Sequence, residues 1–126
     1  MTSAADFRVR RVYEPPEADD GRRVLVDRLW PRGLSKERAE LDEWLKDVAP
    51  SGGLRKAYHA GELDFEAFEA HYRAELAEPD HAAAVGHLLD LARASAVTLL
   101  TATKEPDRSH VTVLVEHLKQ RPGPGR

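Results

Sequence analysis

RRVLVDRLWPRGLS, residues Arg22 to Ser35, decides the reading of the fold. Val24-Leu25-Val26 is an apolar, β-branched run that reads as a buried strand. It stops abruptly at Asp27, Arg28, Trp30 and Arg32, punctuated by Pro31 and Gly33, after which a helix starts. A buried strand that ends in charged and aromatic side chains delivers a site to its carboxyl end. Open α/β sheets place their ligands there.

Working outward, Phe7 to Tyr13 forms a first strand whose mixed polarity suits a sheet edge, with residues 1–6 as a flexible N-terminus. The acidic, turn-rich loop EPPEADDG (Glu14 to Gly21) then leads to a second strand, Arg23 to Asp27. That loop is short for a crossover between parallel neighbours. Either a nonstandard connection joins the two strands, or the first is antiparallel or not adjacent to the second. Ser35 is the N-cap of a helix to about Val48, because Leu41, Trp44, Leu45 and Val48 fall at helical spacing. This makes Trp44 a core residue.

A short helical turn with Leu54, Arg55 and Tyr58 stops near Gly61. Asp64 caps the next helix, whose apolar face is Phe65, Phe68, Tyr72 and Leu76, with Leu63 and Phe68 as a hydrophobic staple. A further helix over about His81 to Ala94 buries Val85, Leu88, Leu89 and Ala92. VTLLT, Val97 to Thr101, is a central third strand, and a polar loop through Lys104 follows it. From His110 the spacing of Val111, Leu114, Val115 and Leu118 favours a helix; the same VTVLV run suits a strand, but length and capping decide against it. Residues 121–126, RPGPGR, read as a disordered tail. The expectation is therefore a single compact α/β domain over residues 7–120, with a small, mainly parallel three-stranded sheet flanked by about five helices.

Composition narrows the function. The chain has 126 residues, a hydrophobic fraction of 41%, a charged fraction of 33% and no cysteine. Disulfides, thiolate nucleophiles and Cys-based metal sites are excluded. No apolar run approaches the ~20 residues of a membrane span, and the start is not a signal peptide; a cytoplasmic protein is expected. The net charge is −3, but six Lys/Arg lie between Arg22 and Arg38 while Glu62 to Glu78 holds six acids. A basic patch on an acidic protein suits one small anion, or a local nucleic-acid contact, better than a long phosphate track. Nucleic acid is the less favoured partner. Two solvated helix faces of opposite sign are the plain structural alternative.

The run Val24 to Glu37 closely resembles the signature of the YeaO-like bacterial proteins, a short branch of domain-of-unknown-function family 488. Leu45-Lys46, Ala49-Pro50-Ser51, Leu54-Arg55, Tyr72-Arg73, Glu75-Leu76 and the block from Thr98 through Lys104 to His110 continue the likeness, over about residues 8–119. The resemblance implies a compact α/β domain with a mainly parallel sheet and carries no biochemical activity with it. Wider relatives often have cysteines where this chain has Thr101 and Ser109, so thiol or Cys/His metal chemistry does not transfer.

If the two strand ends meet, they gather Asp27, Arg28, Trp30, Arg32, Lys104 and His110. Arg28, Arg32 and Lys104 would bind an anion, guanidinium by paired N–H donors. Trp30 would stack on a base or sugar. His110 is the candidate acid/base, with Asp27 to orient it. Structural roles stand beside these: Asp at a strand end closes loops, and Trp-Pro often packs. Arg55 and His59 read as surface residues, and the histidines at 71, 81, 87 and 117 as solvent-facing. No metal-ligand spacing, GxSxG, Gly-rich phosphate loop or GxGxxG pattern occurs, so neither metal nor cofactor is expected. Two functions follow: an enzyme or binding domain for a phosphorylated, nucleotide-like anion, and a non-catalytic interaction protein using the Arg22–Arg38 surface on nucleic acid or an acidic partner. In a third reading, Asp27, Arg28 and Trp30 only hold the loop.

Overall fold

A computed structural model describes residues 7–106 and 109–120; the expected N-terminal flexibility and C-terminal tail lie outside the described residues. Four parallel strands form one sheet in the order β1-β4-β2-β3: β1 Phe7–Arg11, β2 Arg22–Leu25, β3 Glu43–Trp44 and β4 Val97–Thr101. β1 and β2 are not neighbours. β4 lies between them, so the short acidic loop never has to make a crossover between adjacent strands. β4 is buried along its whole length, as its apolar run predicts for a strand covered on both faces.

The helices are α1 Lys36–Ala39, α2 Gly52–His59, α3 Phe65–Leu76, α4 Pro79–Ala94 and α5 His110–Gln120. One sheet face, with Phe7, Val24, Val26, Val97 and Leu99, packs on Tyr72, Leu76, Val85, Leu88, Leu114 and Leu118 of α3, α4 and α5. The other face holds Val12, Leu25 and Leu100 against Leu34 and Ala39. Asp64 caps α3 as expected, accepting the Ala67 N–H at 2.8 Å.

The segment after Ser35 departs from the expected long helix. Ser35 caps α1, accepting the Arg38 N–H, but the helix ends after one turn at Glu40, which is left-handed with φ 48° and ψ 52°. The cause is Arg23. Its guanidinium is buried, bonds Asp20 at 2.6 Å, and donates to the Ala39 and Glu40 carbonyls at 3.0 Å each. Those donors terminate the turn. The Asp42 and Leu45 N–H groups then bond the Arg23 and Leu25 carbonyls, adding β3 as the fourth strand, and a 3₁₀ turn follows at Lys46–Val48. The helical spacing of Leu41, Trp44, Leu45 and Val48 is thus produced by a strand and a tight turn. Trp44 is not in the core: it lies at the sheet edge, 38% exposed.

Candidate functional site

The ladder between β2 and β4 runs one residue past the strand, with Val26 N–H donating to Leu100 O at 3.0 Å. It thereby sets Asp27 beside the end of β4. One carboxylate oxygen of Asp27 accepts the Thr101 hydroxyl at 2.8 Å, and the other accepts the Ala102 N–H at 2.8 Å. His110, opening α5, brings Nε2 within 3.3 Å of that carboxylate and 3.0 Å of the Val26 carbonyl. A carbonyl oxygen only accepts, so Nε2 carries the proton and Nδ1 is the basic nitrogen of the neutral ring. The ring meets the edge of Tyr72 at 6.1 Å.

Both members of the pair are mostly buried, with side-chain exposures of 14% for His110 and 15% for Asp27. Burial pushes the Asp27 carboxyl up, and this is the largest single influence on it. The His110 bond and charge, with the Ala102 N–H and Thr101 hydroxyl, outweigh it, and the net shift is below the ordinary aspartate value. Burial, reinforced by Glu75 and Asp27, pushes the Tyr72 phenol well above its ordinary value; Arg28 opposes this. The Tyr72 hydroxyl donates to Val48 O at 2.6 Å.

Arg28 is directed elsewhere. Its Nε donates to Pro50 O at 2.8 Å and a terminal nitrogen to Ala49 O at 3.2 Å. Trp30 donates its indole N–H to Leu34 O at 2.7 Å and meets Trp44 edge-on at 5.4 Å. Trp44 in turn donates to Asp27 O at 2.7 Å, so both indoles pin the turn after β2. Arg32 and Lys104 are exposed. Asp27 and His110 are therefore brought together, Arg28 and Trp30 bind backbone nearby, and Arg32 and Lys104 face solvent.

Two residues at the same sheet end had no signal beyond the mixed polarity of their strand. Arg11 donates to Thr103 O at 3.0 Å and lies over the ring of Tyr13 at 5.3 Å. Tyr13, 39% exposed, donates its hydroxyl to Arg32 O at 3.0 Å. Tyr13 and the Arg11 guanidinium over its ring together link the Arg32 turn to the loop that bears Lys104. His81 also differs from the solvent-facing expectation: it is buried, at 8% exposure, whereas His71 and His87 are exposed. Among the described residues, Glu17, Asp19 and Asp20 come within ligand spacing of one another, but Arg8, Arg10 and Arg23 pair with them. No helix among them is long and apolar enough to cross a membrane.

A family described as "Inactive DUF488-N3 subclade" matches residues 6–122. The chain is 43% identical to "Uncharacterized protein YeaO" of Escherichia coli (strain K12) over 114 residues, which cover 90% of this chain and 97% of that one. It is 46% identical to "Uncharacterized protein Rv3073c" of Mycobacterium tuberculosis over 121 residues, covering 96% and 100% respectively. No solved structure matches the chain.

Proposed function

The chain belongs to the inactive DUF488-N3 subclade, and from that premise we propose that it is a non-catalytic binding domain for a phosphorylated, nucleotide-like anion. Arg32 and Lys104 receive the anion at the carboxyl edge of the sheet beside Tyr13, while Arg11, bonded to the Thr103 and Ala102 carbonyls, holds the loop that bears Lys104. Asp27 and His110 form a clasp beneath them. The observation that carries this reading is the engagement of the polar groups below the edge. Thr101 Oγ bonds Asp27, Ser109 Oγ donates to Pro106 O, His110 Nε2 faces a carbonyl, and Arg28 grips two more. A nucleophile or a mobile proton carrier needs a group that is free to react, and these hold the fold together.

Above them, the exposed ring of Tyr13, with Arg11 over one face and its hydroxyl on the Arg32 carbonyl, suits a base or sugar bearing phosphate. The alternative in which His110 is an acid/base group depends on Nδ1 alone. The alternative that uses the whole Arg22–Arg38 surface on a macromolecule loses Arg23 and Arg28 to internal bonds, which leaves Arg22, Arg32, Lys36 and Arg38 exposed.

ADP and inorganic pyrophosphate are the probes, with thermal unfolding and calorimetric titration as the readouts. A ligand at a hundredfold its Kd stabilises the fold by about 2.7 kcal/mol. Arg32→Glu and Lys104→Glu are expected to abolish the rise in Tm, while His110→Asn retains it and neither probe is consumed. No rise with either probe, or consumption that His110→Asn stops, overturns the reading. Equal weakening by Lys36→Glu with a steep salt dependence supports the macromolecular surface instead.

A further inference from the structure

The two edges of the sheet are finished differently. At β1 the Val12 N–H bonds the Thr101 carbonyl, so the backbone groups of Arg11 face outward. Both are taken by the chain's own turn. The Arg11 N–H donates to a Glu14 carboxylate oxygen at 3.1 Å, and the Arg11 carbonyl accepts the Glu14 N–H at 3.1 Å. Arg8 and Arg10 add charge along the same strand, paired with Glu17, Asp19 and Asp20. An edge whose backbone groups are already bonded is closed to a further strand.

β3, the opposite edge, is left open at its centre. The Leu45 N–H bonds the Leu25 carbonyl across from Trp44, which turns the N–H and C=O of Trp44 away from β2. The Trp44 side chain is 38% exposed, and Leu29, in the bend that the Trp44 indole pins at Asp27 O, is 55% exposed. Glu43 is turned to α4, where His87 Nε2 lies 2.7 Å from its carboxylate. The charges that flank Trp44 along the edge are Asp42 and Lys46, both exposed, two residues before it and two after. Lys46 opens the 3₁₀ turn and lays its ammonium over the Trp44 ring, 4.9 Å from the centroid. Opposite signs on either side of one exposed aromatic residue match the same run read in reverse.

We infer that β3 is the contact surface of a two-fold dimer, in which two copies of this chain join their sheets with Trp44 against Trp44 in antiparallel register. In that register the two Trp44 residues exchange both N–H···O=C bonds, and Asp42 of each copy stands across from Lys46 of the other. Opposite charges so placed favour the pair, whereas a parallel pairing sets like against like. The charge order selects a second copy over other strands: a wholly acidic or wholly basic segment meets a like charge at Asp42 or at Lys46. β3 is short, so the backbone contributes one such pair and the indoles and lysine stems supply the rest of the contact. The proposed anion site uses neither Asp42 nor Lys46.

The test is sedimentation equilibrium of the full chain up to about 1 mM, with tryptophan emission followed over the same range. Expected is a dimer, with emission moving to shorter wavelength as it forms, because Trp44 is the more exposed of the two tryptophans and leaves water on pairing. Lys46→Glu sets acid against acid at both ends of the contact and should weaken the dimer by about tenfold or more. Adding Asp42→Asn, which keeps an oxygen for the Arg23 N–H, removes that repulsion and should recover part of the affinity. A Lys46→Glu variant that had only disturbed the fold would recover nothing. A chain that stays monomeric to about 1 mM overturns the inference. So does a dimer that Lys46→Glu leaves equally tight, since it forms through another face. Emission that shifts on phosphatidylglycerol vesicles while the chain stays monomeric assigns Trp44 to a lipid surface and overturns it as well.

Discussion

At the scale of single residues, the carboxyl edge is governed by what Asp27 accepts. Its two oxygens receive the Thr101 hydroxyl, the Ala102 N–H and the His110 ring, joining a residue of the N-terminal half to three of the C-terminal half. Hydrogen bonds to a charged group contribute about 1.5–3 kcal/mol each way they are tested. Asp27→Asn keeps the shape and removes the charge, so a loss in that range is expected from urea unfolding at pH 7. The dependence on pH has a definite sign. The folded carboxyl titrates below its unfolded value of about 3.9, so its stabilisation is complete above that value. It is lost as pH falls through the folded value. Unfolding measured down that acid limb should therefore be flatter for Asp27→Asn than for the parent chain. Arg28 illustrates the opposite lesson about clustering. It sits next to Asp27 in sequence, yet in the bend beyond the end of β2 its side chain turns to Ala49 and Pro50, where a guanidinium satisfies two carbonyls at a chain corner.

At the scale of elements, β1, β2, β4, α2 to α5 and the Asp64 cap were legible because their apolar periodicity is local. The Ser35–Val48 stretch was not. Its termination is set by the Arg23 guanidinium reaching Ala39 and Glu40 from sixteen and seventeen residues away, information that no window of the segment itself contains. The same limit applies to the site. Asp27 and His110 could be paired from the expectation of parallel strand ends, whereas Arg11 and Tyr13 depend on β4 inserting between β1 and β2. That insertion brings Gly21 against Ala96 at the entry to β2. Gly21 has φ +68°, and a Cβ there would collide with the Ala96 backbone, whose carbonyl receives the Arg22 N–H. Gly21→Ala meets both a disfavoured backbone region and a rigid neighbour. A loss of about 2 kcal/mol or more in thermal or urea unfolding is expected, while the same substitution at Gly52, in open space and inside α2, should be close to neutral.

At the scale of the whole molecule, the two faces of the sheet are covered differently. Three helices lie on one face; α1 and the acidic loop, with its arginine pairs, cover the other. The carboxyl edge is where these layers are joined, since the Asp27–His110 contact connects the end of β2 to the start of α5 across 83 residues of chain. This joining is the central claim, and a double-mutant cycle on global unfolding measures it most directly. Asp27→Asn, His110→Asn and the double variant are compared with the parent chain in urea at pH 7. A structural clasp predicts a coupling of about 1–3 kcal/mol between the two sites, the double variant losing less than the sum of the singles. Additivity within about 0.3–0.5 kcal/mol would contradict it, and would mean that the two side chains stand together without holding the fold.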